Sequence, residues 1–92
     1  MIKSVRHKGL KKLFEDGNRS GIRADQVERI ENILSMLSIA EKLKDLDLPS
    51  LRLHALKGDL KGFHAVTVRA NWRIVFRFED GDCYDVDLVD YH

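Results

Sequence analysis

Four residues with chemical potential fall on one side of an alternating pattern: His54, Arg69, Arg73 and Arg77. Asp85, Asp87 and Tyr91 are expected beside them. A histidine can take up or release a proton near neutral pH, and an arginine offers a planar fork that holds oxyanions. Together they would place proton transfer next to anion binding. Taken singly, the default for the arginines is cross-strand ion pairing on an antiparallel sheet, and for His54 a surface or hydrogen-bonding role. Lys57-Gly58-Asp59 can be a turn, and Asp90-Tyr91-His92 a chain end. His7 and His64 carry no specific signal, and Trp72 and Phe63 can simply pack. No two histidines stand four apart and the acids show no ligand spacing, so no metal site is expected. A phosphate-binding glycine loop and a Gly-x-Ser-x-Gly elbow are both absent from the sequence.

The elements that must position these residues follow from hydrophobic spacing. Residues 2–6 suggest a short opening strand. Lys8 to Asp16 predicts a helix with Leu10, Leu13 and Phe14 as its apolar stripe. Asp25 and Glu28 have the spacing of a capping box, and Val27, Ile30, Ile33, Leu34 and Leu37 recur at helical period. A shorter helical segment, Ala40 to Leu46, stops ahead of Pro49. The second half alternates: Leu51 and Leu53 against Arg52 and His54; Val66 and Val68 against Thr67 and Arg69; Ile74, Phe76 and Phe78 against Arg73, Val75 and Arg77; Tyr84, Val86 and Leu88 against Asp85, Asp87 and Val89. Asp80-Gly81 marks a turn between the last two strands. Three-residue loops at 80–82 and 70–72 keep the apolar sets on one face. They pair Phe78 with Tyr84, Phe76 with Val86, Ile74 with Leu88, and Val68 with Ile74. The fold class is therefore α+β: a small single domain over 1–92, a twisted antiparallel sheet with two to three N-terminal helices on one face.

Composition bounds the rest. Ninety-two residues, 43% hydrophobic and 34% charged, suffice for one core and not for two. The apolar runs are too short for a membrane helix, and residues 1–6 lack a secretory signal core. A single cysteine, Cys83, excludes an intrachain disulfide and suits a reducing, cytoplasmic setting. The net charge is +1, yet residues 1–23 and 51–77 each carry +5, whereas 24–50 carry −3 and 78–92 carry −6. If the basic segments share a face, they can attract a phosphate backbone; otherwise the opposite charges neutralise each other across the sheet.

In combination, three stretches resemble a known family. These are Leu53-His54-Ala55-Leu56-Lys57-Gly58-Asp59, then Val68-Arg69-Ala70-Asn71-Trp72-Arg73-Ile74-Val75-Phe76, then Val89-Asp90-Tyr91-His92. Their order is similar to that of the HigB toxins, host-inhibition toxins of the RelE/ParE superfamily. Met1-Ile2-Lys3-Ser4 and Lys8-Gly9-Leu10 fit as well, so the resemblance spans essentially the whole chain. It implies a RelE-like β-α-α-β-β-β-β order and a ribosome-dependent endoribonuclease. Such an enzyme cuts messenger RNA in the ribosomal A site, without metal or other cofactor. The resemblance also implies a cognate HigA-type antitoxin with a helix-turn-helix domain, through which alone the toxin would meet operator DNA. No membrane partner is implied.

The residues suit that chemistry. Metal-free RNA cleavage needs a base for the 2′-hydroxyl, an acid for the 5′-oxygen and cations for the charge that develops on phosphorus. His54 and His92 are the acid and base candidates, in either order. Arg73 can grip phosphate oxygens in a bidentate manner, and Lys57 offers a point charge. Asp90 can orient a histidine, and Tyr91 can stack on a base or donate a proton. Arg69 and Asn71 are candidate RNA contacts. Two other functions stay open at this point: a related fold that inhibits DNA gyrase without catalysis, and a small RNA-binding module.

Overall fold

The computed structural model describes residues 1–91; His92 lies outside the described residues. Two helices come first, α1 (Lys8–Asp16) and α2 (Val27–Ile39). Four strands follow, β1 (His54–Ala55), β2 (Phe63–Arg69), β3 (Trp72–Glu79) and β4 (Asp82–Asp90). They form one antiparallel sheet in the order β1-β2-β3-β4.

Both helices bury the stripe that their spacing requires. Leu10 and Leu13 of α1, and Val27, Ile30, Ile33, Leu34 and Leu37 of α2, are buried. Phe14, expected with them, is 40% exposed. His7 caps α1, its Nδ1 accepting from Leu10 N–H at 3.2 Å, and Gly17 ends the helix in the left-handed conformation. Gly9 and Gly21 must both be glycine, since a Cβ on Gly9 would fall 2.3 Å from the Gly21 carbonyl oxygen. The capping box at Asp25 does not form. Asp25 sits in a 3-10 turn, Ala24–Gln26, and its carboxylate binds arginines instead. The helical segment expected over 40–46 shrinks to a 3-10 turn, Leu43–Leu46, that buries Leu46. Asp45 accepts there from the N–H groups of Glu41 and Lys42, which hold its carboxyl below the ordinary range.

Residues 2–6 contribute two isolated parallel bridges to the outer edge of β4, Ile2 with Cys83 and Val5 with Val86, rather than a full strand. Val66, Val68, Ile74, Phe76, Cys83, Val86 and Leu88 face the helices and complete the core. The opposite, open face has a buried floor of Ala65 and Val75.

The registers differ from the three-residue loops expected, and for the same reason at both hairpins. Each turn has two residues, and each strand pair recovers the slip through a bulge. Between β3 and β4, Asp80 and Gly81 both have positive φ, 49° and 83°, the geometry that matches strand twist. Phe78 therefore pairs with Cys83 and Arg77 with Tyr84, and the bulge at Asp85 (φ 55°) restores Ile74 opposite Leu88 as expected. Cys83, not Tyr84, enters the core. Between β2 and β3, Arg69 pairs with Trp72. A bulge around Val68 then puts Val66, not Val68, opposite Ile74.

Candidate active site

The β2–β3 turn, Ala70-Asn71, gathers one group of candidates. Ala70 adopts φ 50°, a left-handed conformation uncommon outside glycine. Arg73 bends back over this turn, its Nη1 donating to the carbonyls of Ala70 and of Trp72 (3.0 Å to the latter). The Asn71 carbonyl accepts from Tyr91 N–H at 2.7 Å, and Trp72 lies opposite Asp90. The turn thus ties the end of β4 to Arg73. Asn71, Arg73, Asp90 and Tyr91 are brought together by backbone pairing, and Tyr91 remains 38% exposed.

His54 and Lys57 form a second group at the far edge. His54 pairs with Ala65, which pairs with Val75, which pairs with Asp87, so these four share one row on the open face. Arg73 lies one row along, between Thr67 and Val89 on the same face. Strand spacing and rise put the His54 and Arg73 backbones roughly 12 Å apart, across a floor of small side chains. His54 Nδ1 lies 3.1 Å from the Arg52 carbonyl oxygen. A carbonyl can only accept, so this contact favours the proton on Nδ1 and leaves Nε2 as the basic nitrogen. Lys57 is exposed and precedes the 3-10 turn Gly58–Leu60.

The three arginines separate by partner. Arg77 donates to Asp85 at 3.0 Å and to Glu79 at 2.9 Å, and its guanidinium lies 5.2 Å from the Tyr84 ring centre. The Asp85 hydrogen bond raises its pKa further. Arg69 is not on the open face. The bulge turns it toward the helices, where Nη1 donates to Asp25 at 3.2 Å. Arg73 differs from both, because among the described residues its hydrogen bonds run to carbonyls and not to carboxylates. Cross-strand ion pairing therefore accounts for Arg77 and leaves Arg73 unexplained.

Two residues gain roles that the sequence did not suggest. Arg29, between apolar positions of α2, donates to the carbonyls of Ser50 (2.6 Å), Thr67 (2.9 Å) and Val68 (3.3 Å), pinning the β2 bulge. Nothing in its spacing singled it out, since it falls beside the apolar stripe of α2 and not on it. His64 packs on Phe76 with Nδ1 buried and without a partner among the described residues. Burial, and then the charge of His54, pull its pKa down. Its even-numbered position already placed it on the core face. Cys83 is no nucleophile candidate, since burial pushes its thiol up to about 11. Among the described residues no group of three His, Cys, Asp or Glu side chains could hold a metal, and no helix is long and apolar enough to cross a membrane.

Comparison with known proteins bears on the whole chain. A family model described as the RelE-like toxin of the type II toxin-antitoxin system HigB matches residues 3–92. The chain is 49% identical over 92 residues to "Endoribonuclease HigB" of Proteus vulgaris, covering 100% of each protein. It is 29% identical over 83 residues to "Toxin HigB-1" of Vibrio cholerae serotype O1, covering 88% of this chain and 87% of that one. Among solved structures, YafQ from E. coli strain BL21(DE3) superposes with a TM-score of 0.66 at 15% identity, over 98% of this chain and 91% of that one. A copper-bound mutant toxin from Helicobacter pylori gives 0.56 at 23% identity, over 98% and 94%. These structural likenesses establish the shared α+β fold.

Proposed function

The chain belongs to the HigB-like family of RelE-like type II toxins, and from that premise we propose that it is an endoribonuclease that cuts messenger RNA in the ribosomal A site. The observation that carries the assignment of the site is the partnering of Arg73. It is held by carbonyls over the turn that ties down Tyr91, on the face it shares with His54. No carboxylate among its described hydrogen-bond partners offsets its charge, which is therefore available to an incoming phosphate.

The reaction balances with protein groups alone. The 2′-oxygen attacks phosphorus, the O2′–P bond forms and the P–O5′ bond breaks. One proton leaves the 2′-hydroxyl for a base, another reaches the 5′-oxygen from an acid, and a cyclic phosphate remains. His54 and His92 are the two proton carriers, one as base and one as acid, and the Arg52 carbonyl sets the His54 tautomer. Arg73 and Lys57 stabilise the charge that develops on the phosphoryl oxygens. Asp90 orients a histidine, and Tyr91 stacks on a base or donates a proton. Asn71, at the tip of the turn, and Arg69, on its helix side, contact the RNA. The ribosome supplies the aligned substrate, which places the protein in the cytoplasm.

A type II toxin implies a cognate antitoxin. Here it is a HigA-type helix-turn-helix protein that also carries the complex to operator DNA. Primer extension on cellular messenger RNA after brief expression tests the activity. Breaks locked to codon position are expected. Intact messages with disturbed DNA supercoiling would replace this reading with gyrase inhibition.

A further inference from the structure

The β2–β3 turn has a second side, away from Arg73. There it closes a cleft of about 140 Å³ lined by Arg23, Asp25, Gln26, Arg69, Ala70 and Trp72. We propose that this cleft holds one nucleotide of RNA, its phosphate on the Arg23 and Arg69 guanidiniums and its base against the Trp72 indole. The inference rests on the ribonuclease reading and adds to it a subsite that takes no part in bond breaking.

Charge is the first support. Asp25 accepts from Arg23 Nε and Nη2 at 3.2 and 3.3 Å and from Arg69 Nη1 at 3.2 Å. Two guanidiniums around one carboxylate leave a net positive charge, and among the described residues Arg69 engages Asp25 through a single nitrogen. A phosphate would complete the remaining forks. Stability does not explain the arrangement, because the three side chains are 63%, 65% and 42% exposed, and such pairs contribute little. Shape is the second support. The cleft offers room for a base with its phosphate at the rim, and Trp72 is half-buried at the wall, where an aromatic ring beside arginines suits base stacking. Position is the third. Trp72 and Arg73 are successive residues on opposite faces, so a strand crossing the turn meets the cleft at a nucleotide next to the one held by Arg73. The bulge that brings Arg69 here is fixed by two hydrogen bonds of Arg29, to the carbonyls of Thr67 and Val68, so the charge is placed in advance of binding.

Trp72 is the only tryptophan in the chain, so its emission reports on the cleft directly. The full-length protein would be titrated with a short 2′-O-methylated oligoribonucleotide, which cannot be cleaved. A saturable change in emission is expected, with affinity on the order of tenfold weaker in Arg23→Ala and a salt slope shallower by about 0.7. Arg23→Lys should recover part of the affinity, and the thermal midpoint of Arg23→Ala should stay within a few degrees of wild type. Emission that never responds, or wild-type affinity and salt slope in Arg23→Ala, would overturn the proposal. Arg73→Ala separates it from the nuclease reading, since that variant should lose cleavage and keep the emission response. Ribosomes then identify the source of the nucleotide. If Arg23→Ala weakens binding to vacant ribosomes, the nucleotide is ribosomal; if only to programmed ribosomes, it belongs to the message. Unchanged binding to both would count against the subsite.

Discussion

Strand β3 carries an arginine toward each end of the open face, and the two ends have opposite characters. Toward the β3–β4 turn, Arg77 is enclosed by Asp85, Glu79 and the Tyr84 ring, and Arg6 reaches the same Asp85 at 3.6 Å. At the β2–β3 turn, Arg73 rests on carbonyl oxygens beside the chain end. Residue type, strand and face are the same. What differs is what the neighbouring bulge delivers. Each bulge puts two consecutive residues on one side of the sheet. At Asp85 these are Tyr84 and Asp85, turned to the open face to surround Arg77. At Val68 they are Val68 and Arg69, turned to the helices, which removes a charge from the neighbourhood of Arg73. At one end the arginine is thereby matched by carboxylates, and at the other its described partners are carbonyls.

The largest effect expected from this contrast is at the chain end. Deleting residues 90–92 should abolish growth arrest while the protein stays folded, because Asp90 and Tyr91 are exposed and lie outside the core. A folded truncation that still arrests growth would move the site elsewhere.

Arg73→Ala should slow single-turnover cleavage on programmed ribosomes on the order of 10²-fold, with Arg73→Lys only partly active. Arg77→Ala should do the reverse, lowering the thermal midpoint and leaving the cleavage rate near wild type. Equal losses of rate in the two variants would erase the distinction between the two ends of β3. His54→Gln belongs with Arg73→Ala, since glutamine keeps hydrogen bonding but cannot titrate near neutral pH. Wild-type rate in that variant would make His54 a positioning residue.

Smaller effects probe the turn and the half-buried histidine His64. Ala70→Gly should raise stability by about 0.5–1 kcal/mol in denaturant melts, since glycine tolerates φ 50°. His64 has a folded pKa below its ordinary 6.5, so the unfolded chain takes up the proton first as pH falls. Its contribution is intact above 6.5, declines as pH drops below that value, and levels off beneath the folded pKa. Thermal midpoints taken between about pH 7.5 and about pH 5 should show this decline flattened in His64→Gln.

Much of the molecule was legible from residue spacing. The two helices, the four alternating segments and the parity that sends Ile74, Phe76, Val86 and Leu88 inward all depend on periodicities of 3.6 and 2, which are local. Arg73 and His54 fell on the open face by the same parity. The family resemblance drew on sequence order alone and holds across the chain.

Tertiary structure decided the registers, and with them the company each arginine keeps. Two-residue turns with compensating bulges preserve parity along most of each strand, so the apolar pattern alone cannot distinguish them from three-residue loops. The choice depends on partners far away in sequence. Ser4 Oγ accepts from Asp85 N–H at 2.8 Å and satisfies the donor that the bulge exposes. Arg29 does the same for the carbonyls of Thr67 and Val68. Backbone groups that a bulge takes out of the ladder need partners, and these came from residues 81 and 38–39 positions away. Local pattern therefore determined which face each side chain sought. Those long-range hydrogen bonds determined that Cys83 and not Tyr84 would enter the core, that Arg69 would join Asp25, and that Arg73 would be left to the open face.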